Sequence, residues 1–257
     1  MLELQNITKI YNAGQITETC LFDRFSLNIN DGDFVSVVGS NGSGKTSLLN
    51  IICGTIPIDG GAVVLDGADI TKMPEHRRYT QIGRVYQNPA LGSCPDMTIA
   101  ENMALADNKG KKYGLQLGVN AKRLALYREL LAPLGLGLEN KLDVPVGSLS
   151  GGQRQAMSLL MATMTPIRFL ILDEHTAALD PKTAEIIMEL TDRIVKQKKL
   201  TAIMVTHNLR YAVEYGNRML MFHKGEIVLE KAGAEKEATK VSDLLSLFNE
   251  ISVECGN

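Results

Sequence analysis

The sequence has no apolar run long enough to cross a bilayer. Its longest apolar stretches, such as residues 169–172, hold only a few residues, whereas a spanning helix needs about 20. The first residues lack the positive charge and the long apolar core of a signal peptide. None of the four cysteines has a partner at the spacing of a zinc or redox motif; they are Cys20, Cys53, Cys94 and Cys255. These absences predict a cytosolic protein without a membrane span of its own.

An excess of charge of one sign is also missing. The chain has 27 Lys and Arg residues against 29 Asp and Glu residues, which gives a net charge of −2. This balance provides no global attraction to nucleic acid or to an anionic membrane, and we expect no nucleic-acid partner. The 257 residues, 45% of them hydrophobic, are enough for an α/β core with a smaller subdomain beside it.

The first third of the chain has the pattern of strands joined by turns. Alternating apolar residues at 2–7 and 25–29 predict half-buried antiparallel strands. Residues 34–38 are apolar enough for a buried strand, and a helix is predicted from Thr46 to about Ile52. A further short strand is predicted at 60–67.

Between residues 88 and 150 the composition changes. Helical periodicity at 98–107 and 121–134 predicts two helices, with a loop at 109–114 whose lysines we expect to be solvated. We therefore predict one α/β domain over the whole chain, with a core formed by 1–87 and 151–257. In this prediction, residues 88–150 are an inserted helical subdomain.

After Ser150 helices and strands alternate again. The predicted helices are 150–164, 181–197 and 208–215, and the predicted strands are 168–172, 201–206 and a closing hairpin of 218–223 with 226–230. Near the end, Val241, Leu244, Leu245 and Phe248 recur at helical spacing. This stripe predicts an amphipathic helix that packs on the protein's own core rather than on a partner.

A glycine-rich segment follows the buried strand at 34–38 and precedes a helix. It fits the pattern G-x-x-x-x-G-K-[S/T] at every position and consists of Gly39, Ser40, Asn41, Gly42, Ser43, Gly44, Lys45 and Thr46. We call it the glycine loop. Its backbone N–H groups and the following helix N-terminus suit an anionic ligand, Lys45 would reach the β- and γ-phosphates, and the Thr46 hydroxyl would hold Mg²⁺. The loop predicts binding of a nucleoside triphosphate.

A second apolar strand, 169–172, ends in the adjacent carboxylates Asp173 and Glu174. In a parallel sheet such a strand end lies near the glycine loop. Asp173 could then bind Mg²⁺, and Glu174 could polarise the attacking water. The pair is also compatible with a merely solvated strand end, and the glycine loop favours the catalytic interpretation.

With the segment Leu149-Ser150-Gly151-Gly152-Gln153, the sequence resembles the ATP-binding subunits of ABC transporters over nearly its whole length. This segment, the signature loop, matches the family signature LSGGQ without substitution. Its serine and glycine amides open a helix and form a second anion site. The resemblance implies a mixed β core with an antiparallel β subdomain. It also implies a head-to-tail dimer in which ATP lies between one chain's glycine loop and the other chain's signature loop.

The resemblance also implies roles for four further positions. Tyr11 matches the aromatic residue that stacks on adenine. Gln87, which follows a strand predicted at 82–86, matches the glutamine that contacts Mg²⁺ and couples to the membrane subunit. Asp180 belongs to the loop that crosses the dimer interface, and His207 matches the switch histidine that touches the γ-phosphate. Ser47, which follows the glycine loop, is assigned to the nucleotide site with them.

Two positions depart from the family pattern. His175 stands where Pro usually follows the catalytic Glu, and Asn208 stands where Asp usually follows the switch histidine. We expect His175 to be a tolerated loop residue, with a pH-sensitive role as the alternative. Asn208 is expected to cap the next helix. His76 and His223 are expected at the surface.

These observations predict an ATPase subunit of a bacterial importer, with ATP and Mg²⁺ as cofactors and the cytoplasmic face of the membrane as its location. Its expected partners are a second copy, integral-membrane permease subunits and, indirectly, a substrate-binding protein. The 173–180 segment is similar to that of ATPases in tryptophan/tyrosine-type systems. The alternative is a soluble ATPase of a cytosolic assembly system, as in iron–sulphur cluster assembly, because the same fold serves other tasks.

Overall fold

The structure is a computed structural model that describes residues 1–112, 114 and 118–254, with side chains as far as residue 250. Cys255 and part of the predicted lysine loop, including Tyr113, lie outside the described residues. The chain forms two compact units. The first unit contains Met1–Arg78 and the residues from Lys199 onward, and the second contains Tyr79–Lys198.

The strands and helices follow the predicted order. Within the described residues the strands are β1 (Leu2–Tyr11), β2 (Thr19–Ile29), β3 (Phe34–Gly39), β4 (Gly60–Leu65), β5 (Ala68–Asp69), β6 (Ile82–Val85), β7 (Phe169–Asp173), β8 (Thr201–Val205), β9 (Arg218–His223) and β10 (Glu226–Ala232). The α-helices are α1 (Lys45–Cys53), α2 (Glu75–Arg78), α3 (Ile99–Asp107), α4 (Leu124–Leu131), α5 (Gly151–Ala162), α6 (Pro181–Lys198), α7 (Leu209–Glu214), α8 (Gly233–Glu237) and α9 (Val241–Glu254). The short elements β5, α2 and α8 were not predicted from the sequence.

Two sets of strands build the first unit. One is an antiparallel sheet in the order β2-β1-β4-β5, as the alternating pattern of β1 and β2 predicts. In the other set β3 lies between β8 and β9 and is parallel to both, while β10 pairs antiparallel with β9. Every residue of β3 is buried, as expected for a central parallel strand with both faces covered. The glycine loop therefore leaves from the centre of this set.

The second unit pairs β6 with β7 in parallel and otherwise consists of helices. Between residues 88 and 150, the described part of the chain forms α3, α4 and 3₁₀ turns at Pro89–Gly92, Ala121–Arg123, Ala132–Leu134, Leu138–Asn140 and Val146–Ser148. This helical content agrees with an inserted helical segment. The unit itself is wider than the predicted subdomain, so the exact domain division remains a prediction.

The lysines of the 109–114 loop are not uniformly solvated. Lys111 is mostly exposed and pairs with Asp107 at 3.2 Å. Lys109 instead donates a hydrogen bond to the carbonyl of Ile82 at 3.2 Å, and burial lowers the pKa of its ammonium to about 8. The expectation of a solvated loop was therefore wrong for Lys109, whose side chain folds back onto the start of β6.

The apolar stripe of helix α9 packs within the first unit. Leu244 is buried against Val38, Ala212 and Met221, and Phe248 packs on the same cluster. The predicted packing on the protein's own core is thus confirmed for Leu244 and Phe248, whereas Leu245 is 49% exposed. No helix in the described part of the chain is both long and apolar enough to span a bilayer.

A buried arginine closes the end of α1. Arg78 is 4% exposed, and its guanidinium donates hydrogen bonds to the carbonyls of Ile51 and Ile52 at 2.9 and 3.0 Å. It also donates to the carbonyls of Thr71 and Met73. The Ile51 carbonyl also accepts from the Gly54 amide at 3.1 Å, whereas for the buried Ile52 carbonyl the guanidinium is the donor. The last carbonyls of a helix have no partner within the helix, so this charge satisfies a group that would otherwise be buried unpaired.

We expect Arg78→Met to lower the free energy of unfolding by about 2–4 kcal/mol, because it leaves buried carbonyls without a donor. Arg77→Met is the matched control, since Arg77 is the exposed neighbour on the same helix; we expect a change within about 0.5 kcal/mol. Urea unfolding of both variants measures the difference. Equal stability of the two variants would contradict the role of Arg78.

Candidate nucleotide site

Close backbone packing holds the glycine loop in the first unit. A Cβ atom at Gly39 would lie 2.3 Å from the Phe222 carbonyl oxygen of β9, so only glycine fits there. Gly44 has a φ of +104° and lies against the Phe22 ring, where a Cβ would approach within 3.1 Å. The amide of Gly225 donates to the Ser43 carbonyl at 2.9 Å and fixes the loop from β9–β10. The tip of the loop, at Ser40, Asn41 and Gly42, is exposed.

Lys45 occupies the centre of this loop. It is 5% exposed, and its ammonium donates to the carbonyls of Gly39 and Ser40, both at 2.8 Å, and to Ser43 Oγ at 3.3 Å. A buried ammonium places positive charge inside the curve of the loop. The loop is therefore already curved around the charge that a phosphate would meet.

The helix α1 begins without a side-chain cap. Its N-cap residue is Gly44, which has no side chain to accept from the first-turn amides. Other helices of the chain are capped, α3 by Thr98, α5 by Ser150 and α7 by Asn208. First-turn amides without a side-chain cap, next to a buried ammonium, form an arrangement that fits an anionic phosphate group.

Tyr11 and Ser47 lie together beside the start of α1. The Tyr11 hydroxyl donates to Ser47 Oγ at 3.1 Å, and the Lys9 ammonium lies 5.3 Å from the centre of the tyrosine ring. This half-buried ring is therefore fixed next to the glycine loop. The position agrees with the predicted adenine contact, which stays a prediction.

His207 follows β8, the strand that runs parallel to β3. The amide of Thr206 donates to the Val37 carbonyl at 3.1 Å, so β8 ends beside the strand that leads into the glycine loop. His207 is exposed at that edge. Asn208 caps α7 as predicted, since its Oδ1 accepts from the amides of Arg210 at 3.0 Å and Tyr211 at 3.3 Å.

In the second unit, Gln87 and the two carboxylates follow neighbouring parallel strands. Val85 of β6 pairs with Leu172 of β7, so the two strands end at the same edge. Gln155 of α5 donates to the Tyr86 carbonyl at 3.1 Å and fixes the backbone just before Gln87. Glu174 has a φ of +47°, an uncommon conformation for a residue with a side chain. Strain of this kind clusters at functional sites.

The sequence interpretation missed a partner of Asp173. The guanidinium of Arg84 lies 2.7 Å from Asp173 Oδ2, with 7% and 13% of the two side chains exposed. The same guanidinium stacks on the Tyr86 ring at 4.7 Å. A charged residue in the middle of the buried strand β6 was the available signal, because such a charge requires a partner.

His175 is not the loop residue that was expected. Its side chain is 2% exposed, and its Nε2 lies 3.0 Å from Thr191 Oγ1 on α6. Burial lowers the pKa of His175 to about 4. His76 is exposed as predicted, whereas His223 is partly buried at the end of β9, so its expected surface position was only partly right.

The signature loop opens α5. Ser150 Oγ accepts from the Gln153 amide at 3.2 Å, and Gln153 Oε1 accepts from the Ser150 amide at 3.1 Å, which is a capping box. Gln153 Nε2 donates to the Leu136 carbonyl at 3.2 Å. Both polar groups of Gln153 thus hold the loop itself, while its predicted contact with nucleotide stays a prediction.

The two signature glycines allow α5 to approach α6 and the segment before it. A Cβ at Gly152 would lie 2.3 Å from Thr183 Cγ2, and a Cβ at Gly151 would lie 3.4 Å from Leu179 Cδ2. Asp180 caps α6, because its Oδ1 accepts from the Thr183 amide at 3.1 Å. These hydrogen bonds from Thr183 lower the pKa of the Asp180 carboxyl.

The predicted Mg²⁺ ligands are Thr46, Gln87 and Asp173. All three offer oxygen atoms, which is the ligand type that Mg²⁺ prefers, and a site with few protein oxygens suits a cation that keeps waters and phosphate oxygens. Thr46 is exposed at the start of α1 in the first unit, and Gln87 and Asp173 lie at the ends of β6 and β7 in the second. The donor chemistry fits the cation.

A model of the ABC transporter family matches residues 22–177. This range contains the glycine loop, Gln87, the signature loop and the Asp-Glu pair, and it is more than half of the chain. The chain belongs to the ABC transporter family. Membership of this family confirms the predicted fold. It also confirms the predicted activity, which is binding and hydrolysis of ATP with Mg²⁺.

Similar proteins extend this result. The subunit is 46% identical over 248 residues to the tyrosine transport ATP-binding protein of Clostridioides difficile, covering 96% of this chain and 98% of that protein. It is 33% identical over 235 residues to a spermidine/putrescine import ATP-binding protein of Haemophilus influenzae, covering 91% of this chain but only 59% of that longer protein. These relatives favour transport over the cytosolic assembly alternative.

One solved structure shows the fold in a dimer. A dimeric ATP-binding cassette in a post-hydrolysis state with ADP and Pi matches with a TM-score of 0.76 and 30% identity, covering 90% of this chain and 98% of that one. The individual site residues are not tested by this likeness. Their roles remain predictions that rest on the geometry described above.

We expect the stability of the subunit to fall as the pH decreases from about 6.5 to about 4, because the buried neutral His175 resists protonation. The unfolded chain binds this proton at the ordinary pKa of about 6.5, so the contribution is complete above that pH and is lost as the pH approaches the folded value. The loss is on the order of 3 kcal/mol.

Urea unfolding of the parent and of His175→Gln at several pH values measures this contribution. Glutamine cannot take up the proton, so the variant should lack the part of the pH dependence that His175 causes. The same pH dependence in both proteins would contradict the burial of a neutral histidine.

Proposed function

We propose that this subunit powers the uptake of a small solute through a membrane transporter by ATP-driven closure of two copies. The observation that carries the proposal is the full-length similarity to a tyrosine transport ATP-binding protein. A second relative is named for spermidine/putrescine import. Tyrosine and polyamines are both small solutes, and an amino acid is the cargo we favour.

ATP binding would begin at the glycine loop. The triphosphate carries several negative charges, and the loop offers the buried Lys45 ammonium and the uncapped amides of α1. Thr46, Asp173 and Gln87 would hold Mg²⁺, which supplies charge neutralisation on the phosphates. Tyr11, fixed beside Ser47, would contact the adenine ring.

Hydrolysis would use Glu174 and His207. Water attacks the γ-phosphorus, the bond to the ADP oxygen breaks, and the water proton passes to the Glu174 carboxylate. His207, which follows β8, would donate a hydrogen bond to the γ-phosphate and so respond to its presence. The φ of +47° at Glu174 is an uncommon backbone conformation of the kind that clusters at functional sites, which supports this role.

Each chain carries one glycine loop and one signature loop. Two copies related by a two-fold axis would complete two sites, since one copy's signature amides would cap the γ-phosphate held by the other copy. The capping box of Ser150 and Gln153 keeps those amides at the start of α5. ATP would then act as the link between the copies, and hydrolysis would remove it.

We propose that the permease binds in a groove beside the segment that follows Gln87 in the sequence. The groove has a volume of about 350 Å³ and includes Tyr86, Leu91 and Leu105 among its lining residues. Leu91 is 69% exposed and Leu105 is 43% exposed. Exposed apolar side chains beside a groove are typical of a docking surface. Docking there would hold the subunit at the cytoplasmic face of the membrane, where a substrate-binding protein would act on the opposite side.

We expect Glu174→Gln to reduce ATP turnover by about 100-fold or more, because the amide cannot accept the water proton. ATP-bound dimer should accumulate in this variant and elute as a dimer in size-exclusion chromatography with ATP. Lys45→Ala is the comparison, since it should bind ATP poorly and stay monomeric. Turnover of Glu174→Gln within a few-fold of the parent would contradict the role of Glu174.

We expect a double variant, Leu91→Glu with Leu105→Glu, to lose its membrane partner while it keeps ATP binding. Affinity purification from detergent extracts of the source cells measures the partner. The parent should bring down a polytopic membrane protein, and the double variant should not. Recovery of only a soluble scaffold with the parent would support the assembly alternative instead.

A further inference from the structure

His175 connects the segment after β7 to the helix α6. We call this segment, residues 174–177, the catalytic loop, because it begins with the proposed base Glu174. Its Nε2 lies 3.0 Å from Thr191 Oγ1, and the Thr191 hydroxyl donates its one proton to the Ile187 carbonyl at 2.7 Å. The threonine oxygen can therefore only accept from the histidine. This arrangement assigns the ring proton to Nε2 of a neutral His175.

The bond adds a side-chain anchor to the backbone that follows β7. Asp173 ends β7, and Glu174 follows with a φ of +47°. The Ala177 amide donates to the Glu174 carbonyl at 2.9 Å, which closes a turn after the strained residue. His175 directly follows Glu174, and its buried side chain contacts α6.

We propose that His175 is a positioning residue, whose hydrogen bond to Thr191 sets the direction of the Glu174 carboxylate toward the attacking water. The proposal rests on the assignment of Glu174 as the base. The histidine–threonine bond would limit the movement of residue 175 relative to α6, and with it the movement of the adjacent Glu174.

The same bond joins Glu174 to the signature loop of its own chain. Thr191 lies eight residues beyond Thr183 on α6, which corresponds to about 12 Å along a rigid helix. Thr183 packs against Gly152, where a Cβ would lie 2.3 Å from its Cγ2. The catalytic loop and the signature loop thus both contact one helix, α6.

The test is a double-mutant cycle on ATP hydrolysis by the full-length protein. We expect His175→Ala and Thr191→Val each to lower kcat about 10-fold, because a misdirected base costs rate rather than binding. The KM for ATP should stay within about 2-fold of the parent. The double variant should be no slower than either single variant, since both changes remove one interaction.

Two further variants separate positioning from packing. Thr191→Ser keeps the hydroxyl and should retain the parent kcat. Thr163→Val is the matched control, because Thr163 is also buried and donates to a carbonyl four residues earlier, that of Leu159 at 2.9 Å, but at the end of α5. It should cost stability in urea unfolding and leave kcat within about 2-fold of the parent.

Additive losses in the double variant, an unchanged kcat in both single variants, or a loss of kcat in Thr163→Val equal to that in Thr191→Val would overturn the proposal. Glu174→Gln distinguishes a failure of the assignment of Glu174 as the base from a failure of the role of His175 alone. Near-normal turnover in that variant removes Glu174 as the base and the proposal with it. Slow Glu174→Gln with normal His175→Ala removes only the role of His175.

Discussion

The parallel pairing of strands is the constraint on which the candidate site depends. Parallel neighbours end at the same edge of a sheet, so residues far apart in sequence are delivered to one place. In the first unit the pairing of β3 with β8 brings His207 to the edge from which the glycine loop leaves. In the second unit the pairing of β6 with β7 does the same for Gln87 and Glu174.

Features with a local cause could be predicted from the sequence. The glycine loop, the strand before it and the capping residue Asn208 depend on residues within a few positions of one another. The helix α9 followed from its apolar spacing, and Leu244 indeed lies in the core. The family signature added the pairing of two copies, which no local pattern contains.

Contacts that depend on tertiary register could not be predicted. Nothing near Arg84 in the sequence indicates that its guanidinium meets Asp173, 89 residues later. The bond from His175 to Thr191 requires the position of α6 relative to the loop before it. Lys109 was expected in solvent because lysine usually is, but its chain folds onto β6, where burial lowers its pKa. In each case a side chain's partner was decided by packing between elements rather than by its neighbours.

The bare start of α1 has a consequence for how the protein balances stability and activity. Ser150 and Asn208 cap their helices with side-chain oxygens, and such caps add about 1 kcal/mol. Position 44 has no room for such a cap, because its φ is +104° and a Cβ would lie 3.1 Å from the Phe22 ring. Glycine therefore gives up that stabilisation, and the first-turn amides have no side-chain acceptor. In the proposed nucleotide complex a phosphate would be that acceptor, so binding would add to the stability of this helix.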